Sequence, residues 1–119
     1  MKADTRPLLL LIGDQGTLSY LLGRFAEHGG FQLVVNSSAM DKNTIVNPAV
    51  IIFLSTRLLE TAQSFVRELA SLDIPILVCA SVAEQARARE LGADHCLLHP
   101  LTYDDFQAAL IDVGALKHA

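Results

Sequence analysis

Three features of the sequence predict an α/β fold, a doubly wound five-stranded parallel sheet with helices on both faces. The first is a set of short apolar runs rich in Leu, Ile and Val at 8–12, 50–54, 74–79 and 96–98. Such runs fit strands covered on both faces, where the alternation of half-buried strands disappears. The second is that segments of helical period separate the runs. Alternating strands and helices imply parallel pairing with right-handed crossovers. The third is length: 119 residues suffice for one core and are too few for two. We therefore expect one domain over 1–119, with its core within about 6–113.

Each element has a local reason. Leu8-Leu9-Leu10-Leu11-Ile12 reads as a central strand, ended by the turn Gly13-Asp14-Gln15-Gly16. Leu18, Leu21, Leu22, Phe25 and Ala26 recur at helical spacing over 17–28, and Gly29-Gly30 stops that helix. Residues 31–35 form a second strand. Residues 36–47 are polar and poorly periodic, with at most a short helix. The β-branched residues of 50–54 support a third strand. Leu58, Leu59, Ala62, Phe65, Val66 and Leu69 share one face of a helix over 58–72. Residues 74–79 form the fourth strand, with Pro75 tolerated at its start. Ser81-Val82-Ala83-Glu84 is a capping box opening a helix to Leu91, which Gly92 ends. Residues 96–98 are a short fifth strand. Thr102-Tyr103-Asp104-Asp105 is a similar cap, with Leu101 and Phe106 as its hydrophobic staple, and the last helix runs to Leu110 or Val113.

Composition excludes several classes. The formal charge is -4, from 9 basic and 13 acidic residues without a basic run, which argues against direct nucleic-acid binding. No apolar run approaches the roughly 20 residues that cross a bilayer. Lys2 and Arg6 precede an apolar stretch as a signal peptide would have it, but the stretch has only five residues and no small-residue cleavage site follows. We expect a cytoplasmic protein without a membrane partner. Cys79 and Cys96 fall in strands at a spacing that suggests neither zinc nor a redox pair, so two buried thiols are expected.

Three segments carry a family resemblance. Ile74-Pro75-Ile76-Leu77-Val78-Cys79-Ala80-Ser81 is similar to a fourth strand of the form IPVI followed by Thr or Ser and Ala. Gly92-Ala93-Asp94-His95-Cys96-Leu97-Leu98-His99-Pro100-Leu101 is similar to GADDYLxKPF, and Asn47-Pro48-Ala49-Val50-Ile51-Ile52-Phe53-Leu54 to RPDLVLLD. With the strand order, the chain resembles the CheY-like receiver domain of two-component response regulators. The resemblance implies the flavodoxin-like sheet order 2-1-3-4-5. It also implies a phosphorylation site at the carboxyl ends of the strands, and a cis peptide before Pro100.

The departures from that pattern fall on the chemistry. The acidic pair after the first strand, which holds Mg²⁺ in the family, reads Gly13-Asp14. The phosphoacceptor Asp is Leu54, the Thr or Ser after the fourth strand is Ala80, and the Lys is His99. Leucine neither forms an acyl phosphate nor binds a metal ion. The resemblance therefore implies a degenerate pseudo-receiver, with no cofactor and no catalytic residue.

Other readings weigh less. Asp14 as a lone carboxylate is a poor Mg²⁺ site, and a helix cap is its ordinary role. His99 facing Asp14 would make a pH-sensitive contact; a passive replacement is the plainer account. Ser55 as a surrogate acceptor requires a one-residue slip that inverts the strand's faces. Gly13 to Gly16 lacks the spacing of a phosphate-binding loop. No nucleophile–base pair assembles from Asp14, Ser55, Ser81 and His99, so an enzyme is not expected.

We expect a phosphorylation-independent signalling module working through protein contacts. The face of the fourth helix, fifth strand and fifth helix would offer Arg87, Arg89, His95, Tyr103, Asp104 and Gln107 to a signalling partner or a second copy. One alternative is a sensor that takes a neutral small molecule in a strand-end cleft made apolar by Gly13, Leu54 and Ala80. The other is a receiver phosphorylated at a surrogate site.

Overall fold

The structure, a computed structural model, describes residues 6–13, 16–37 and 48–116. Five strands form one sheet: β1 (Leu8–Ile12), β2 (Gln32–Asn36), β3 (Val50–Phe53), β4 (Ile76–Ala80) and β5 (His95–Leu98). Their order is β2-β1-β3-β4-β5 and every pairing is parallel, as the flavodoxin-like reading requires. The helices are α1 (Gly16–His28), α2 (Thr56–Thr61), α3 (Gln63–Leu72), α4 (Gln85–Glu90) and α5 (Tyr103–Asp112).

The unbroken apolar runs are explained by two cores, one on each face. Leu10, Ile12, Ile51, Phe53, Ile76 and Val78 point to one face and pack under Leu59 of α2, Phe65, Val66 and Leu69 of α3 and Ala88 of α4. Leu9, Leu11, Val50, Ile52 and Leu77 point to the other, under Leu22 and Ala26 of α1 and Phe106, Ala109 and Leu110 of α5. Cys79 and Cys96 are free and buried, and they belong to opposite cores, so the sheet itself separates them. Burial pushes the Cys79 thiol up to about 12 and raises that of Cys96, so neither supplies thiolate at neutral pH.

Several boundaries differ from the sequence expectation. The helix expected over 58–72 starts two residues earlier, because Ser55 Oγ accepts a bond from the Leu58 amide and caps α2. It then breaks at Ala62. There the Ala62 amide bonds to the Leu59 carbonyl three residues back, and Gln63 Nε2 donates to that same carbonyl and to Leu91 O. The break ties the end of α4 to the junction of α2 and α3. The expected α4 likewise opens as a 3₁₀ turn over Val82–Glu84. β2 and β4 each lie one or two residues further along than expected. Pro75 O accepts from Ile51, so Pro75 enters the ladder as an acceptor without needing an N–H. The short helix considered within 36–47 lies outside the described residues beyond Ser37.

The Gly92-Ala93-Asp94 segment has a structural role. Asp94 Oδ2 accepts from the Ile76 amide at 2.8 Å while the Asp94 amide donates to Ile76 O at 2.7 Å, fixing the start of β5 against β4. Gly92 has φ +108, and a β-carbon there would lie 2.8 Å from Val66 Cγ1, so only glycine permits this approach of α3.

Candidate functional site

The carboxyl ends of the strands gather the positions that the resemblance singled out, as open α/β sheets do. Gly13 follows β1, Leu54 follows β3, Ala80 closes β4 and His99 follows β5. Asp14 lies outside the described residues. The parallel ladder continues one residue beyond the strands here. Gly13 N donates to Asn36 O at 2.7 Å, and Leu54 N to Ile12 O at 2.9 Å. These bonds hold Gly13 and Leu54 side by side.

Leu54 is 2% exposed. Its side chain lies over Gly13, where an added β-carbon would sit 2.8 Å from Leu54 Cδ1 and 2.9 Å from Leu58 Cδ1. Real β-carbons do not tolerate such distances, and Gly13 has φ +128, which L residues rarely adopt. Gly13, Leu54 and Leu58 therefore form a fitted apolar plug. Leu58 was missed as a site residue from sequence. Its only signal is the four-residue spacing from Leu54, which also suits an ordinary helix start. Ala80 is buried in the core on the α2–α4 side, and its methyl offers no hydrogen bond.

The Mg²⁺ that the resemblance implies asks for oxygen ligands. Gly13 and Leu54 supply no side-chain oxygen, and the space above Gly13 is filled by leucine, so the described residues of this edge do not fit the ion. Among the described residues, no group of three or more His, Cys, Asp or Glu side chains is placed to hold a metal.

Ser55, Ser81 and Glu84 have structural partners at this edge. Ser55 Oγ is committed to the Leu58 amide. The capping box over Ser81–Glu84 forms as expected, and both the backbone N–H and the hydroxyl of Ser81 donate to Glu84 Oε1, at 2.9 and 3.1 Å. His99 is exposed and lies near the Glu84 carboxyl, as the least of the influences that hold it down. Sequence reading named Glu84 as part of the capping box but not its nearness to His99; the pairing of His99 with Asp14 falls outside the described residues. Thr56 is 6% exposed and its Oγ1 is buried without a hydrogen bond, as is Asn36 Nδ2 at the end of β2.

Glu84 gives a pH prediction. The Ser81 amide, then the Ser81 hydroxyl, hold its carboxyl below the usual value, against a small desolvation. A carboxyl depressed in the folded state stabilises the fold above its unfolded value, and the contribution is lost as pH falls through the folded one. E84Q keeps an acceptor for these bonds and removes the charge. The wild type should therefore exceed E84Q by a few tenths of a kcal/mol at neutral pH, as exposed charges do. The gap should close in acid below the ordinary carboxylate range. Urea midpoints of both proteins at neutral and acid pH measure it.

The six residues expected on one interaction face do not all share it. Arg87 turns to α2, pairing with Glu60 at 3.0 Å and more loosely with Glu90 at 3.6 Å. His95 Nδ1 lies 3.1 Å from Asp112 Oδ2, bridging β5 to the end of α5. Arg89 and Asp104 are exposed and Gln107 is half-buried. Tyr103 corrects the expectation. Its ring packs 5.5 Å from Phe25 and 4.8 Å from His28, both on α1. Tyr103 and Phe106 lie one turn apart on α5, and Phe106 is buried against the sheet beneath α1, which carries Tyr103 with it. The face thus lacks the central aromatic assigned to it.

No protein-family model matches the sequence, and no curated protein matches it either. Solved structures do match the fold. A putative response regulator from Chloroflexus aurantiacus superposes with a TM-score of 0.78 at 17% identity, covering 92% of this chain and 98% of its own. The chemotaxis response regulator CheY4 of Vibrio cholerae gives 0.72 at 17% identity, over 92% and 99%. The receiver domain of a sensor histidine kinase from Pseudomonas aeruginosa, solved with magnesium coordinated in its active-site cleft, gives 0.73 at 15% identity, over 92% and 99%. At these identities the likeness shows the fold: this chain has the flavodoxin-like architecture of CheY-like receivers.

Proposed function

We propose that this chain is a single-domain, non-enzymatic, receiver-like signalling module that works without phosphorylation, through contacts with other proteins. The observation that carries the reading is the apolar plug. Leu54 stands where the resemblance aligns the acceptor carboxylate, and it is buried against a glycine whose backbone excludes an L side chain. Acyl-phosphate formation requires a carboxylate in reach of the phosphodonor and a cation to neutralise the transferred group. Gly13 and Leu54 supply neither.

The signalling role is carried over from the fold's known examples. The state of such a module is set by whichever partner prefers one of its loop arrangements. The ligand-sensing alternative needs an open apolar cleft at the strand ends. Leu54 and Leu58 fill the space above Gly13, which weighs against it. The surrogate-acceptor alternative needs a free hydroxyl at Ser55, and that oxygen caps α2. No described helix is long and apolar enough to cross a membrane, in keeping with a cytoplasmic module.

Incubation of the whole protein with acetyl phosphate and Mg²⁺, followed by intact-mass spectrometry, tests the reading. An unchanged mass is expected, alongside an intact receiver that gains one phosphoryl group. A phosphorylated product would overturn it.

A further inference from the structure

We infer that a second copy of this chain docks on the edge of β2, which no described strand covers, joining two sheets across a two-fold axis. β2 is unlike the other four strands. It is an edge strand, and none of its five residues is buried. Its centre is nevertheless apolar: Val34 is 41% and Val35 46% exposed, on opposite faces of the sheet. β5, the other edge strand, differs in its side chains, with Cys96 and Leu97 buried in the cores of the two faces. Soluble proteins blunt open edges with charge, proline or a bulge, and Gln32–Asn36 contains none of these.

The backbone geometry selects the pairing. Gln32 N donates to Pro7 O, and Asn36 O accepts from Gly13, so the even residues of β2 aim their backbone groups at β1. In a parallel ladder the intervening residues then aim outward. Those are Leu33 and Val35. An antiparallel copy satisfies all four groups when Leu33 meets Val35 of the copy and Val35 meets Leu33. Val34 then faces itself across the axis as a close, non-hydrogen-bonded pair.

The flank of this edge is self-complementary too. A groove of about 550 Å³ runs between α1 and β2, lined by Tyr20, Arg24, Glu27 and Leu33 among others. Tyr20 is 66% exposed, and Arg24 and Glu27 are exposed opposite charges one turn apart on α1. In an isologous contact every residue meets the reciprocal patch, so a face bearing both charges finds its complement in its own copy. A partner of single charge would match half of it. This face is distinct from the α4, β5 and α5 surface, and the inference stands whether or not the chain is phosphorylated.

Sedimentation velocity of the full chain over a concentration series tests it. The wild type should show a reversible monomer–dimer equilibrium with a Kd of roughly micromolar to a hundred micromolar, as small interfaces give. V34K places two ammonium groups opposite each other and should leave only monomer, with an unchanged circular dichroism spectrum. V34C should form a covalent dimer under mild oxidation, because residues paired across the axis lie within disulfide reach and Cys79 and Cys96 are buried. A control cysteine at exposed Ser71 on α3 should not. A wild type that stays monomeric throughout overturns the inference and points the edge to a different protein. A dimer that V34K leaves intact overturns it as well, by placing the contact on another face.

Discussion

Leu54→Asp should destabilise this protein severely without restoring phosphorylation. The leucine side chain is buried in the core beneath α1 and α5 and lies against Leu58 and Gly13. Replacing it removes apolar burial and leaves a cavity, which for a buried leucine costs about 2–5 kcal/mol. The carboxyl would also enter an apolar site with no described cation to pair with, which adds a few kcal/mol, or forces the acid to stay protonated. The sum, about 4 kcal/mol or more, is comparable to the whole stability of a typical domain, about 5–15 kcal/mol. Urea denaturation of L54D beside L54A separates the two contributions: L54A should lose only the first. An L54D protein as stable as the wild type would mean that the strand end is open and hydrated, contrary to the plug.

The second large effect is expected at Gly13. Gly13→Ala must hold an L residue at φ +128 and find room between Leu54 and Leu58. Backbone strain of this kind costs about 1–3 kcal/mol and overpacking about 1–3 kcal/mol. The two are partly separable, because L54A removes the clash with Leu54 Cδ1 while the β-carbon of position 54, Leu58 Cδ1 and the dihedral stay as they are. In a double-mutant cycle, G13A should cost about 0.5–1 kcal/mol less in the L54A background than in the wild type. Additive costs would mean that the side chains of positions 13 and 54 do not meet. The same contact opposes an acidic residue at either position. A carboxylate at position 13 alone clashes with Leu54, and one at position 54 alone is buried without a partner.

Much of the fold was legible because it rests on patterns with a period. The runs at 8–12, 50–54, 74–79 and 96–98 became β1, β3, β4 and β5 of a parallel sheet, and the order followed the resemblance. The Ser81–Glu84 box and the Thr102 cap were legible because capping has a fixed offset between donor and acceptor. The break at Ala62 was not, since it depends on the Gln63 amide reaching Leu91 O, a contact 28 residues away in sequence. Tyr103 was misplaced for a related reason. A residue at a helix start has no fixed face until its neighbour Phe106 chooses one. For the site, sequence located Gly13 and Leu54 as departures, but their mutual fit needed the φ of Gly13. The order 2-1-3-4-5 already placed β2 at an edge of the sheet, but the exposure of Val34 and Val35 there needed the structure.

The central proposal is that the strand ends carry an apolar contact between Gly13 and Leu54 and do not receive a phosphoryl group. The most direct measurement is an amide NMR titration with Mg²⁺ and beryllofluoride, which mimics an aspartyl phosphate. The account predicts no saturable shift at Gly13, Leu54, Ala80 or His99. A saturable shift centred on those residues and spreading to α4 would contradict it, by showing that a working acceptor survives at this edge.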